Sequence, residues 1–131
     1  MTNKELCELA KISAQRSYSP YSTFRVGAAL LCSDGSVYTG CNIENASFTP
    51  TVCAERVAFF KAISEGKKDF VSIAIVGGRE EIGKNLCSPC GVCLQVMTEF
   101  CNPKTFKIIL PSNDKTEEYL LCDLLPHSFS L

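Results

Sequence analysis

Residues 51–57 read Thr-Val-Cys-Ala-Glu-Arg-Val, and residues 88–93 read Ser-Pro-Cys-Gly-Val-Cys. Both stretches put sulfur where a helix is predicted to begin. Thr51 stands as a cap ahead of Val57, Phe59, Phe60 and Ile63, which supply apolar faces until Gly66 stops the helix. Ser88 as cap and Pro89 at the first helical position open another helix that lasts to about Cys101. Between the two lies Phe-Val-Ser-Ile-Ala-Ile-Val-Gly-Gly, residues 70–78, a nearly continuous apolar run and so a strand buried on both faces. A helix, a buried strand and a helix in succession point to an α/β sheet with sulfur at two helix starts.

The flanking segments extend the pattern. Thr2 followed by Glu5 is a capping box, and Leu6, Leu9 and Ile12 carry a helical face to about Gln15. Residues 24–31, 33–36 and 37–41 read as strand, tight turn and strand, a hairpin. Residues 42–50 form a polar loop that ends at Pro50, and residues 79–88 form a longer one. Residues 106–110 are a further strand, residues 118–121 an edge strand and residues 122–126 a helical turn before a short tail. A hairpin followed by alternating helices and strands predicts a mixed sheet with helices on both faces, layered helix, sheet, helix. At 131 residues this is one domain, 1–131.

The composition limits the partners. Apolar residues make up 46% and charged residues 21%, with a net charge of −1, which leaves no basic footprint for a nucleic acid polymer or an anionic membrane. No apolar run is long enough to span a bilayer, and the first ten residues read as a helix and not as a signal peptide, so a cytoplasmic location is expected. Nine cysteines are an odd number, which fits a reducing compartment better than a disulfide framework. Cys7, Cys32, Cys41, Cys101 and Cys122 lie in or beside apolar runs and read as small buried hydrophobes.

Cys53, Cys90 and Cys93 are different. Cys90 and Cys93 are three apart and share a helix face, while Cys53 sits at the preceding helix start. Unpaired N–H groups and the dipole at both starts favour thiolate over thiol. Where the two ends meet at the carboxyl edge of the sheet, three thiolates converge, a set that suits Zn²⁺. A fourth protein ligand, with Cys87 or Cys41 as the candidates, makes a closed structural site; a water makes a catalytic one. Glu55 favours water, as a carboxylate able to move its proton. Three thiolates and Zn²⁺ leave one negative charge in excess, which Arg56 and the two helix dipoles can offset. A redox dithiol in the overlapping Cys-x-x-Cys pairs and a merely solvated Glu55 remain the competing readings.

The joint pattern, Cys-x-Glu at one helix start and Pro-Cys-x-x-Cys at the next, resembles that of the zinc nucleobase deaminases. More closely, residues 19–30, 39–48, 53–56, 88–96 and 124–129 are similar to the small homotetrameric cytidine deaminases. That resemblance implies a three-layer αβα sandwich with a five-stranded mixed sheet. It also implies zinc-dependent hydrolytic deamination of cytidine and 2′-deoxycytidine in pyrimidine salvage, one Zn²⁺ per subunit and assembly into a homotetramer. Carried onto this chain, it makes Cys53, Cys90 and Cys93 the metal ligands and Glu55 the proton shuttle. Asn42 and Glu44 would bind the ribose, and Phe24, by itself a strand residue expected in the core, would pack on the pyrimidine. Phe129 would reach a neighbouring subunit's pocket. The Ala54 N–H would meet the base carbonyl, and the Ser88 carbonyl would accept from the leaving amine. His127, the sole histidine, reads as exposed. Two departures stand out: Leu94 occupies the place of a usual Arg after the second thiol of Pro-Cys-x-x-Cys, and Phe48 that of a common Tyr.

Overall fold

The structure, a computed structural model, describes residues 1–131. Helix α1, Asn3–Ala14, opens with the expected capping box: the Glu5 N–H donates to Thr2 Oγ1 at 3.1 Å and the Thr2 N–H to Glu5 Oε2 at 2.7 Å. The hairpin strands are β1, Arg25–Cys32, and β2, Val37–Cys41. Then come α2, Ala54–Ser64, β3, Phe70–Gly78, α3, Gly91–Phe100, β4, Lys107–Ser112, β5, Lys115–Leu120, and a turn of helix, α4, Leu121–Leu124. The five strands lie in the order β2-β1-β3-β4-β5, with β3 and β4 parallel and every other pair antiparallel.

The two-residue period of the strands divides the core between the faces of the sheet. Ala29, Ala74, Val76 and Ile109 point to one face and bury Leu6, Cys7, Ala10 and Ala14 of α1. Their neighbours Ala28, Ile73, Ile75 and Ile108 point to the other, where Ala58 and Phe59 of α2 and Leu94 and Met97 of α3 cover them. β3 lies between β1 and β4 under both helix layers, which is why its sequence is apolar without alternation. The result is the expected αβα sandwich with a five-stranded mixed sheet. No helix is long and apolar enough to cross a membrane. Cys7 and Cys32 are buried as expected, Cys41, Cys101 and Cys122 are only half-buried, and His127 is exposed.

Both helices that carry the sulfur begin later than their sequences predict. Cys53, at φ −76° and ψ 154°, is the cap of α2, and Thr51 instead accepts the Asn45 N–H at 2.9 Å. Cys90, at φ −74° and ψ 164°, is the cap of α3, so Ser88 and Pro89 lie outside that helix. The Cys90 sulfur takes the part a serine hydroxyl usually plays, accepting the Cys93 N–H at 3.5 Å. Gly40 of β2 fixes where α2 starts: a Cβ there would collide with the Ala54 carbonyl and the Ala58 nitrogen, so the first turn of α2 rests directly on the strand.

Candidate active site

The two capping cysteines bring three sulfurs together. Cys53, Cys90 and Cys93 place their Sγ atoms within 4.8 Å of one another, and Cys53 and Cys90 stand 3.9 Å apart. Tetrahedral zinc with sulfur at ~2.3 Å needs sulfurs about 3.8 Å apart, so the trio fits that ion. Cys87 and Cys41 lie outside the cluster, so neither closes it with a fourth sulfur. The cleft wall runs past the sulfurs instead, with Cys53, Glu55, Cys87 and Cys90 all lining it.

The protonation of the sulfurs shows how much charge the site has gathered. The neighbouring Cys93 thiol, and then the Arg56 guanidinium, hold the Cys53 thiol down at about 5. Cys93 is pushed up, first by its contact with the Cys53 sulfur and then by burial. One anion is thus favoured and a second opposed, the behaviour of a set that needs a cation to ionise fully. Arg56 supplies part of that charge, with Nη2 donating to Cys53 Sγ at 3.4 Å. Glu55, in the first turn of α2, is only 4% exposed although it is a carboxylate. Burial, reinforced by the Cys53 charge, pushes its carboxyl up to about 7.

Above the sulfurs lies a cleft of about 240 Å³, lined mainly by apolar side chains. Its wall includes six residues expected at a site, Phe24, Asn42, Glu44, Ala54, Glu55 and Ser88, together with Cys53 and Cys90. It also includes Cys87, and Val26, Thr51 and Val52, to which sequence reasoning gave no place in binding. Phe24 precedes β1 and is half-buried at the cleft, not in the core. Ala54 is the first residue of α2, so its N–H has no partner within the helix. Phe129 does not line the cleft; its ring is exposed and its carbonyl accepts Gln95 Nε2 at 2.9 Å, which ties the tail to α3.

Asn42 and Glu44 are more occupied than free loop residues would be. Asn42 Oδ1 accepts the Val26 N–H at 2.9 Å, and its Nδ2 donates to the Phe24 carbonyl at 2.8 Å, leaving one amide hydrogen free. Glu44 Oε1 accepts the N–H groups of Tyr21 and Ser22 at 3.0 and 3.1 Å, and Oε2 accepts the Ser22 hydroxyl. Behind Phe24 lies a larger cavity of about 430 Å³, bordered by Arg79, Glu80, Glu81 and Lys84. Its charges balance and it holds none of the sulfurs, so the chemistry belongs to the smaller cleft. Arg79 closes this side, its guanidinium carbon 5.6 Å above the Phe24 ring.

A thiolate trio beside a buried carboxylate, at the edge of an αβα sandwich, has the parts of a zinc-dependent hydrolase. Residues 1–109 match the family model described as the cytidine and deoxycytidylate deaminase zinc-binding region. A cytidine deaminase of Sporosarcina psychrophila is 44% identical over 130 residues, 99% of this chain and 93% of that protein. One of Halalkalibacterium halodurans is 46% identical over 131 residues, covering 99% and 96%. Among solved structures, a Burkholderia pseudomallei cytidine deaminase superposes with a TM-score of 0.89 at 42% identity, covering 98% of this chain and all 100% of that one. A Mycobacterium tuberculosis cytidine deaminase gives 0.83 at 36% identity, with 100% and 99% covered. The chain belongs to the cytidine and deoxycytidylate deaminase family, and zinc is the metal of that family's matched region.

Proposed function

We propose that this chain hydrolyses the exocyclic amine of cytidine and 2′-deoxycytidine, giving uridine and 2′-deoxyuridine with release of ammonia. The observation that carries this reading is the meeting of the Cys53, Cys90 and Cys93 sulfurs with the buried Glu55 carboxylate in one cleft. The three sulfurs would hold one Zn²⁺, whose chemistry when bound is to acidify a water molecule toward pH ~7, so that a nucleophile is available for C4. Glu55 moves the protons: it takes the first from the attacking water and delivers it to N3 of the pyrimidine. It then takes the second from the hydroxyl now on C4 and hands it to the amine, which leaves as ammonia.

The remaining wall residues hold the substrate. Phe24 packs on the pyrimidine, the free Ala54 N–H binds the base carbonyl, and the Ser88 carbonyl accepts from the departing amine. Asn42 and Glu44 bind the 3′-hydroxyl of the ribose through their unspent amide hydrogen and carboxylate lone pair. Tyr18, Tyr21, Ile43, Phe48 and Phe129 are exposed apolar side chains suited to covering by further copies of the chain. We infer that they are covered in a homotetramer in which Phe129 enters a neighbour's cleft, and that the reaction serves pyrimidine salvage in the cytoplasm.

An ultraviolet assay with cytidine, 2′-deoxycytidine, cytosine and CMP tests the reading. Both nucleosides should be turned over and the free base and nucleotide spared; chelation should remove activity and added zinc should restore it. A zinc-loaded chain that leaves cytidine intact would sink the proposal. Light scattering in solution checks the assembly, with four copies expected.

Gly77 offers a separate check on the cleft wall. A Cβ on this buried residue of β3 would stand 2.7 Å from Cys87 Sγ and 2.9 Å from the Phe24 ring. Gly77→Ala should displace both side chains and raise the KM for cytidine about tenfold, an effect of ~1.4 kcal/mol, within the range for overpacking a close-packed site. Steady-state kinetics at a temperature where the variant remains folded measures this.

A further inference from the structure

The turn that delivers Phe24 to the cleft is held under constraint. Thr23 has φ 58°, a left-handed conformation that a β-branched residue adopts only when its surroundings impose it. Much of the constraint comes from Glu44, across twenty-two positions of sequence from Ser22, through its bonds to the Tyr21 and Ser22 N–H groups and the Ser22 hydroxyl. The Ser22 oxygen also accepts the Phe24 N–H at 3.0 Å. On the far side of the same residue, the Phe24 carbonyl accepts Asn42 Nδ2. The side chain facing the base and the two facing the sugar therefore form one hydrogen-bonded unit, and Ser22 joins its two halves while lying outside the cleft lining.

We propose that Ser22 is a positioning residue for the nucleoside: its hydroxyl orients the Glu44 carboxylate toward the sugar and fixes the Phe24 backbone that presents the ring to the base. Two backbone N–H groups hold Oε1 of Glu44, but these alone leave the carboxylate free to rock about its last torsion. The Ser22 bond to Oε2 stops that motion and leaves a lone pair for the ribose hydroxyl. It also keeps the carboxylate ionised, lowering its pKa together with the backbone N–H bonds from Ser22 and Tyr21. Without the hydroxyl, water replaces it and the carboxylate must be ordered by the substrate, which weakens binding and leaves the distant proton transfers alone. The inference rests on the nucleoside reading of the cleft.

Kinetics with cytidine, on the zinc-loaded full chain, decides it. Ser22→Ala should raise KM about tenfold, the loss of one charge-assisted hydrogen bond, with kcat within about threefold of the native value. Ser22→Thr, which keeps the hydroxyl at an exposed position, should restore KM. Added to Glu44→Gln, Ser22→Ala should cost clearly less in KM than it does alone, because one of its two partners is already lost and only the Phe24 N–H is left to position. Ser22→Cys, of similar size but a weak donor, should behave as Ser22→Ala and serves in its place if the alanine variant does not fold. A KM within twofold of native for Ser22→Ala, a loss confined to kcat, or full additivity with Glu44→Gln would overturn the assignment while native turnover of cytidine stands. Failure of the native chain to turn over cytidine would remove both the function and this role.

Discussion

Glu55→Gln should fold, retain zinc and turn over cytidine at least about a thousandfold more slowly than the native chain, because one carboxylate is asked to make two proton transfers. A positioned acid or base contributes roughly 10²–10⁴ in rate, and here both transfers pass through the same side chain. An amide of the same shape at a 4% exposed position leaves no cavity, so the melting temperature should not fall. It also offers no site for a proton in either direction. The metal should stay, because Glu55 is not one of the three sulfurs and the cluster stands without it. Binding of the nucleoside should stay within a few fold, since Phe24, Asn42 and Glu44 are untouched. The measurements are kcat with cytidine, zinc content after dialysis, and the dissociation constant of uridine. A Gln variant within tenfold of native kcat would take Glu55 out of the chemistry.

The parts of this site that were legible in the sequence are those whose signal is local. The Cys90–Cys93 spacing and the apolar run of β3 each lie within ten residues and the hairpin within eighteen, and the structure follows them. The helix starts were misplaced because Thr51 and Ser88 are ordinary capping residues, whereas the caps are the cysteines themselves. At such a position a side chain points off the helix end, which is what three converging sulfurs require. The double duty of Asn42 and Glu44 was illegible for another reason. Their partners, Ser17, Phe24, Val26, Tyr21 and Ser22, are sixteen to twenty-five residues away and meet them only through the fold. Nothing in the type of Thr23 announces a left-handed backbone, since the constraint comes from a carboxylate in another loop. Phe24 looked like core because strand periodicity does not tell a core wall from a cleft wall. Phe129 is unlike these, because its ring is exposed and the tie of its carbonyl to Gln95 is what holds the tail.

Arg56→Ala should lower cytidine turnover by roughly thirty- to a hundredfold, because Arg56 is the guanidinium that donates to the sulfur cluster. Leu94 is 5% exposed and packs in the core with Ala58, Phe59 and Met97, so it lends no charge to the sulfurs. Arg56 carries that task alone: Nη2 donates to Cys53 Sγ, while its Nε–H is buried without a hydrogen-bond partner. Three thiolates around one divalent ion leave an excess negative charge, and a guanidinium beside them opposes it. That excess weakens the ion as a Lewis acid. A hydrogen bond to a charged group is worth ~1.5–3 kcal/mol, and 1.36 kcal/mol is tenfold in rate, which sets the size of the loss. Arg56→Gln keeps an N–H but no charge, so it should fall nearly as far if charge is the cause and stay near native if the hydrogen bond alone suffices. A readout apart from turnover is the rate at which a chromophoric chelator withdraws zinc, which should rise in both variants. Less than a tenfold loss in kcat for Arg56→Ala, with zinc withdrawn at the native rate, would mean that the two helix starts neutralise the sulfurs without a guanidinium.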